Sequence, residues 1–140
     1  MARILAIDYG AKRTGIAVTD PLGIIAQPLE TVATHTLMEF LRSYTSRESV
    51  ERIVVGLPKQ MDGSPSENFS RIEPFVNRLR KEFPTIPVEY YDERFTSVLA
   101  HKAMLDGGLG KMARRDKAMV DRISAAIILQ GYMDSKNNAI

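Results

Sequence analysis

Three acidic positions in this 140-residue chain stand where structural elements end or begin: Asp8, the pair Asp92 and Glu93, and Asp121. Asp8 closes the apolar run Ile4-Leu5-Ala6-Ile7, which reads as a strand buried on both faces. A carboxylate there is costly unless a metal, a partner or water compensates it. Asp92 and Glu93 follow a second such run, Ile86 to Tyr91, and Asp121 lies in the first turns of the last helical segment. If the strands run parallel, their carboxyl ends share the sheet edge at which open α/β folds hold ligands. Carboxylates gathered there repel one another unless a hard cation neutralises them, and oxygen-only donors suit Mg²⁺ or Mn²⁺. A pair of such ions can clamp the attacking and leaving oxygens of a phosphodiester, so the chemistry indicated is metal-dependent phosphoryl transfer.

Each acid also has an ordinary structural reading. Asp8 could hydrogen-bond the turn bounded by Gly10 and Gly15, and Asp121 could complement its helix dipole. Asp92 and Glu93 could form a solvated strand end paired with Arg94; strand parity lets only one of them face the Asp8 side. Ser124, Ala125 and Ala126 are small and let the Asp121 helix lie close to the sheet. A basic loop, with Lys111, Arg114, Arg115 and Lys117, leads into that helix. Such a loop either binds phosphate backbones without reading sequence or is simply solvated. Lys12 and Arg13, in the connection after Asp8, and Arg94 extend the expected nucleic-acid contacts. Tyr9 could stack on a base or belong to the core. His35 and His101 are assigned no role in catalysis. Gly107, Gly108 and Gly110 do not make a phosphate loop, because no strand feeds them and Lys111 is not followed by Ser or Thr.

The elements that must position these residues can be read in order. Two strands flank the Gly10–Gly15 connection, Asp20-Pro21-Leu22-Gly23 is a turn, and a third strand spans Ile24–Ala26 and Leu29–Ala33, interrupted by Pro28. That proline predicts an edge strand, since it cannot donate to a ladder. Thr36-Leu37-Met38-Glu39 has capping-box spacing ahead of a helix with Leu37, Phe40, Leu41 and Tyr44 on one face. Arg52–Leu57 is a buried strand expected to pair parallel to the first. Met61-Asp62-Gly63 is a turn, Ser64 a cap, and Phe69, Ile72, Val76 and Leu79 mark a helix either kinked at Pro74 or restarted from Ser70, with one kinked helix preferred. Ile86–Tyr91 is the last strand. A helix capped by Thr96 follows, and the final helix runs from Ala118 to about Met133 with Ile123, Ala126, Ile127 and Leu129 inside. A polar tail begins near Asp134. The order predicts one α/β domain over residues 1–140 with a mixed sheet.

Composition excludes several alternatives. With no cysteine, thiolate catalysis, disulfides and Cys-type metal centres are ruled out. The opening residues lack the sections of a signal peptide and no apolar run reaches membrane-spanning length, which predicts a cytoplasmic protein with no membrane partner. The net charge is only +2, so a nucleic-acid partner must be argued from where the basic residues cluster.

Ile-Asp-Tyr-Gly-x-Lys-Arg-Thr-Gly-Ile-Ala-Val, Val-Val-Gly-Leu-Pro, Met-Asp-Gly, Asp-Glu-Arg-Phe-Thr and Val-Asp-Arg-Ile-Ser-Ala-Ala-Ile-Ile-Leu occur in this order between Arg3 and Tyr132. In these motifs the chain closely resembles the YqgF/RuvX family, small bacterial RNase H-like proteins described as Holliday-junction-resolvase-like and as nucleases that process the 5′ end of pre-16S rRNA. The resemblance implies an RNase H-like domain with a five-stranded mixed sheet, its first three strands antiparallel and helices packed on both faces. It implies Asp8, Glu93 (in preference to Asp92) and Asp121 as the catalytic, metal-binding set, with two Mg²⁺ or Mn²⁺ ions. Pre-rRNA or branched DNA is the implied partner, with the ribosome as a further one and a monomer or weak dimer as the working unit. Leu99, where many relatives carry an acidic or polar residue, and Pro74 depart from the family pattern. The competing reading is a ribosome-biogenesis factor that binds rRNA and cleaves slowly or not at all. A sugar-kinase or actin-like ATPase is disfavoured, because those enzymes close two such domains around a nucleotide.

Overall fold

Alternation along the first strand divides the interior into two cores. The computed structural model describes residues 2–57, 69–92 and 117–138. In β1 (Arg3–Asp8), Leu5 and Ile7 face one side of the sheet while Ile4 and Ala6 face the other. β2 (Arg13–Thr19) pairs antiparallel with β1, and β3 (Ala26–Ala33) antiparallel with β2. β4 (Val50–Leu57) and β5 (Val88–Asp92) add on parallel, giving the order β3-β2-β1-β4-β5. The five-stranded mixed sheet with three antiparallel strands first is as the resemblance implied, and β3 is an edge. Pro28 sits in β3 opposite Ala17, beside a register shift between Ile16 and Ala17. The bulge lets a residue without an N–H occupy the ladder.

On the Leu5 and Ile7 side lie α1 (Leu37–Arg47) and α2 (Phe69–Glu82), which contribute Leu37, Leu41, Tyr44, Ile72, Phe75, Val76 and Leu79. On the other side α3 (Lys117–Asn138) packs Ala125, Ile128, Leu129, Tyr132 and Met133 against Ala6, Ala17 and Val54. Side chains on this face of the sheet are small, so α3 approaches closely. None of the helices described is long and apolar enough to cross a membrane.

Three local expectations need correction. The third strand starts at Ala26 rather than Ile24: Asp20 Oδ1 accepts hydrogen bonds from the Ile24 and Ile25 N–H groups, both at 2.7 Å, and holds those residues in the turn with exposed side chains. Thr36 makes no capping box. A 3₁₀ turn (Thr34–Thr36) precedes α1, and Thr36 Oγ1 donates back to Ala33 O at 2.8 Å instead of accepting from the helix. α2 continues as one helix through Pro74, in keeping with the preferred single-helix reading. α3 runs past Asp134 to Asn138, and its buried stripe is Ala125, Ile128, Leu129, Tyr132 and Met133; Ile123, Ala126 and Ile127 are only partly buried. Apolar residues occur nearly all round this helix, so spacing alone did not single out its inner face. The expected turn at Met61-Asp62-Gly63, the Ser64 cap and the Thr96 helix lie outside the described residues.

Candidate active site

β1, β4 and β5 run parallel, so their carboxyl ends share one edge of the sheet. Asp8 is the last residue of β1 and lies opposite Gly15 of β2. The alternation that turns Ala6 toward α3 turns Asp8 the same way. α3 then passes directly over Gly15: a Cβ placed on Gly15 would stand 2.0 Å from the carbonyl oxygen of Asp121 and 2.4 Å from its carbonyl carbon. The absent side chain brings the start of α3 onto the sheet next to Asp8.

The electrostatics report the same proximity. Burial, reinforced by the negative charge of Asp121, pushes the Asp8 carboxyl up from 3.8 to about 7. Asp121 is itself held by Arg13, whose Nε donates to Oδ2 at 2.7 Å. The pair joins β2 to α3, and Arg13 is more exposed than its partner. Arg13 is therefore a partner of the acid site, a role that its reading as a nucleic-acid contact missed. Gly15 was read as a turn boundary. Its place inside a strand was the available signal, since glycine there often marks a close backbone approach.

The turn between β1 and β2 is tied down from the far side of the sheet. Thr34 Oγ1 donates to Gly10 O at 2.7 Å and lies 2.9 Å from the buried Thr14 Oγ1, while Thr34 N–H donates to Lys12 O at 2.9 Å. Gly10 is required here, because a Cβ would stand 2.2 Å from Arg13 O. Tyr9 turns away from Asp8 and stacks on Phe75 of α2, with ring centroids 4.6 Å apart. That contact belongs to the core reading of Tyr9.

The structure thus brings together Asp8, Asp121 and Arg13. Glu93, Arg94, Lys111, Arg114 and Arg115 lie outside the described residues; Lys117 is the first residue of α3. Among the described residues no group of three metal-ligating side chains is assembled. Two carboxylates close enough for one to raise the pKa of the other fit a hard divalent cation, which would relieve that repulsion.

The sheet order, with helices on both faces and a carboxylate pair at the parallel strand ends, defines an RNase H-like α/β fold. Consistent with this, T. thermophilus RuvC in complex with Holliday junction substrate matches with a TM-score of 0.56 over 96% of this chain and 98% of that one, at 20% sequence identity. Residues 2–135 match the RuvX family, described as Holliday junction resolvase, and the chain belongs to that family. A protein of Phocaeicola vulgatus named "Putative pre-16S rRNA nuclease" is 65% identical over 97% of this chain and 98% of its own length. Proteins of the same name from Bacteroides thetaiotaomicron and Porphyromonas gingivalis are 62% and 60% identical, over 97% and 96% of this chain and 99% and 98% of their own.

Proposed function

We propose that this chain is a metal-dependent nuclease of the cytoplasm that hydrolyses phosphodiesters in structured nucleic acid, with the 5′ end of pre-16S rRNA as its substrate. The observation that carries this reading is the placement of Asp8 and Asp121 side by side at the parallel strand ends, across Gly15. The similarity to relatives named for pre-16S rRNA supports the substrate. Branched DNA is the second reading, supported by the family's description and by the RuvC–junction neighbour.

In this proposal Asp8, Asp121 and Glu93 hold Mg²⁺ or Mn²⁺, which when bound supplies Lewis acidity and lowers the pKa of water. Glu93 is preferred over Asp92 on the resemblance of the Asp92-Glu93-Arg94 stretch to the family motif. Arg13 fixes one oxygen of Asp121 and leaves the other as a donor. Lys12, Arg94, Lys111, Arg114, Arg115 and Lys117 contact phosphates of the bound strand.

The test is purified protein against labelled precursor rRNA, single strands and four-way junctions. Precursor rRNA should be cleaved with Mg²⁺ or Mn²⁺ and spared in chelator; cleavage that persists after exhaustive metal stripping would overturn the proposal. Binding supplies a second check. Neutralising two of Lys111, Arg114, Arg115 and Lys117 should reduce the slope of log K against log salt by roughly 0.7–0.9 per contact, alike for all sequences. An unchanged slope makes the loop an ordinary solvated surface.

A further inference from the structure

Asp8 and Tyr9 are neighbours in the chain but serve opposite sides of the sheet, and the Tyr9 side carries a cavity that the acid site leaves unused. It has a volume of about 240 Å³. Its apolar lining comes from Leu37, Met38 and Phe75, and Tyr9, stacked on Phe75 at an interplanar angle of 29°, adds an aromatic wall. The cavity is also lined by His35 and Arg78, both exposed residues on different elements. The hydrogen bonds from Thr34 to Gly10 and Lys12 lock the β1–β2 turn to the 3₁₀ turn, so the walls those two turns contribute are fixed relative to each other before any ligand arrives.

An aromatic wall beside cationic and hydrogen-bonding groups has the chemistry of a nucleotide-binding site, where a base stacks on a ring and its phosphate meets positive charge. The size narrows the choice. Pockets for drug-sized ligands run from about 300 to 1,000 Å³, so this cavity suits a single base and cannot admit a base pair within a duplex. We propose that it receives the unpaired base of a nucleotide of the bound strand, with Arg78 and His35 on that nucleotide's phosphate. The proposal rests on the nuclease reading for the identity of the bound strand. It adds that the enzyme engages its substrate at a single-stranded position, through the face of the sheet opposite the acids.

The experiment separates this subsite from cleavage by working in chelator. A fluorescein-labelled single-stranded RNA decamer is titrated with the parent protein and with an Arg78→Ala, His35→Ala double variant, whose altered side chains are exposed and whose melting temperature should stay near the parent's. The variant should bind roughly tenfold more weakly. Adenosine 5′-monophosphate should shift the amide resonances of Ala11, Thr34 and Leu37 saturably, and ribose 5-phosphate, which lacks the base, should shift them far less. Failure of the parent to bind the decamer, equal affinity in parent and variant, nucleotide-induced shifts confined to other residues, or equal shifts from the two phosphates would each overturn the proposal. Mn²⁺-dependent hydrolysis of bis(p-nitrophenyl) phosphate, which has no base, should be equal in parent and variant; a variant impaired there as well would act through the acid site, and the subsite would be overturned. If the parent hydrolyses neither this ester nor RNA while the binding results hold, the nuclease reading fails and the subsite stands.

Discussion

Asp8→Asn should abolish turnover while leaving the metal-free protein at least as stable as the parent. The carboxylate is partly buried and lies within the field of Asp121, and both effects disfavour its charged form. Asparagine keeps the shape and removes the charge, so a source of repulsion disappears. In the proposed site the same substitution removes a metal ligand. Added Mg²⁺ should therefore raise the parent's melting temperature more than the variant's, as linkage requires of the tighter binder. Nucleic-acid binding in chelator should persist, and cleavage should fall by orders of magnitude. If Asp8 merely braced its turn, Asn would serve nearly as well, and both metal response and cleavage would stay at the parent's level. A variant that cleaves at the parent's rate removes Asp8 from the site.

The raised pKa adds a pH signature to the metal-free protein. Unfolded, Asp8 titrates near 3.8; folded, near 7. The folded state thus holds the proton more tightly. The stability this gives is fully present below about pH 4 and is lost as pH rises through about 7. The melting-temperature advantage of Asp8→Asn over the parent in chelator should accordingly widen from pH 5 to pH 8. Asp20 works in the opposite sense, since the Ile25 and Ile24 N–H groups hold its carboxyl below the usual range. Its contribution is lost only as pH falls below about 4, outside this window. A parent–variant difference that does not change from pH 5 to 8 would mean that Asp8 keeps its charge on folding.

Much of this architecture was legible because the strands carry period-two or fully apolar signals and their ends carry turn residues. The edge position of β3 followed from one proline, and the parallel pairing of β4 from the helix before it. The side of the sheet on which Asp8 lies was not legible, because Ile4, Leu5, Ala6 and Ile7 are all apolar and no polar residue marks an outer face. Only the packing distinguishes Leu5 and Ile7, under α1 and α2, from Ala6, under α3. The inner stripe of α3 was ambiguous for the same reason. Arg13 was legible as a cation but not as the partner of Asp121, since 108 residues separate them in the chain. Local propensity carries no information about such a pair; the close approach of α3 creates it.

That approach makes Gly15→Ala the most informative substitution outside the acids. A methyl group at this position would stand 2.0 Å from the Asp121 carbonyl oxygen and 3.1 Å from the Arg122 nitrogen, and these are backbone atoms of a helix that cannot turn aside as a side chain would. Either α3 moves outward or the strand distorts. Overpacking of this kind costs about 2–3 kcal/mol, which for a chain of this size lowers the melting temperature by roughly 5–10 °C. The consequence for activity should be larger than the consequence for folding. Displacing α3 carries Asp121 away from Asp8, and a misplacement of about 1 Å in a reacting constellation can reduce turnover about a hundredfold. With Asp121 farther off, the repulsion that helps raise the Asp8 pKa weakens, so the pH dependence described above should become shallower. Gly23→Ala is the control: its positive φ of 72° makes alanine strained, yet nothing lies within 4 Å of the added carbon. It should cost about 1–2 kcal/mol and leave turnover of the folded protein unchanged. Melting curves and cleavage rates of the two variants, measured side by side below both melting temperatures, separate general destabilisation from loss of the Asp8–Asp121 geometry. If Gly15→Ala loses no more activity than Gly23→Ala, the close passage of α3 over β2 does not set the acid site.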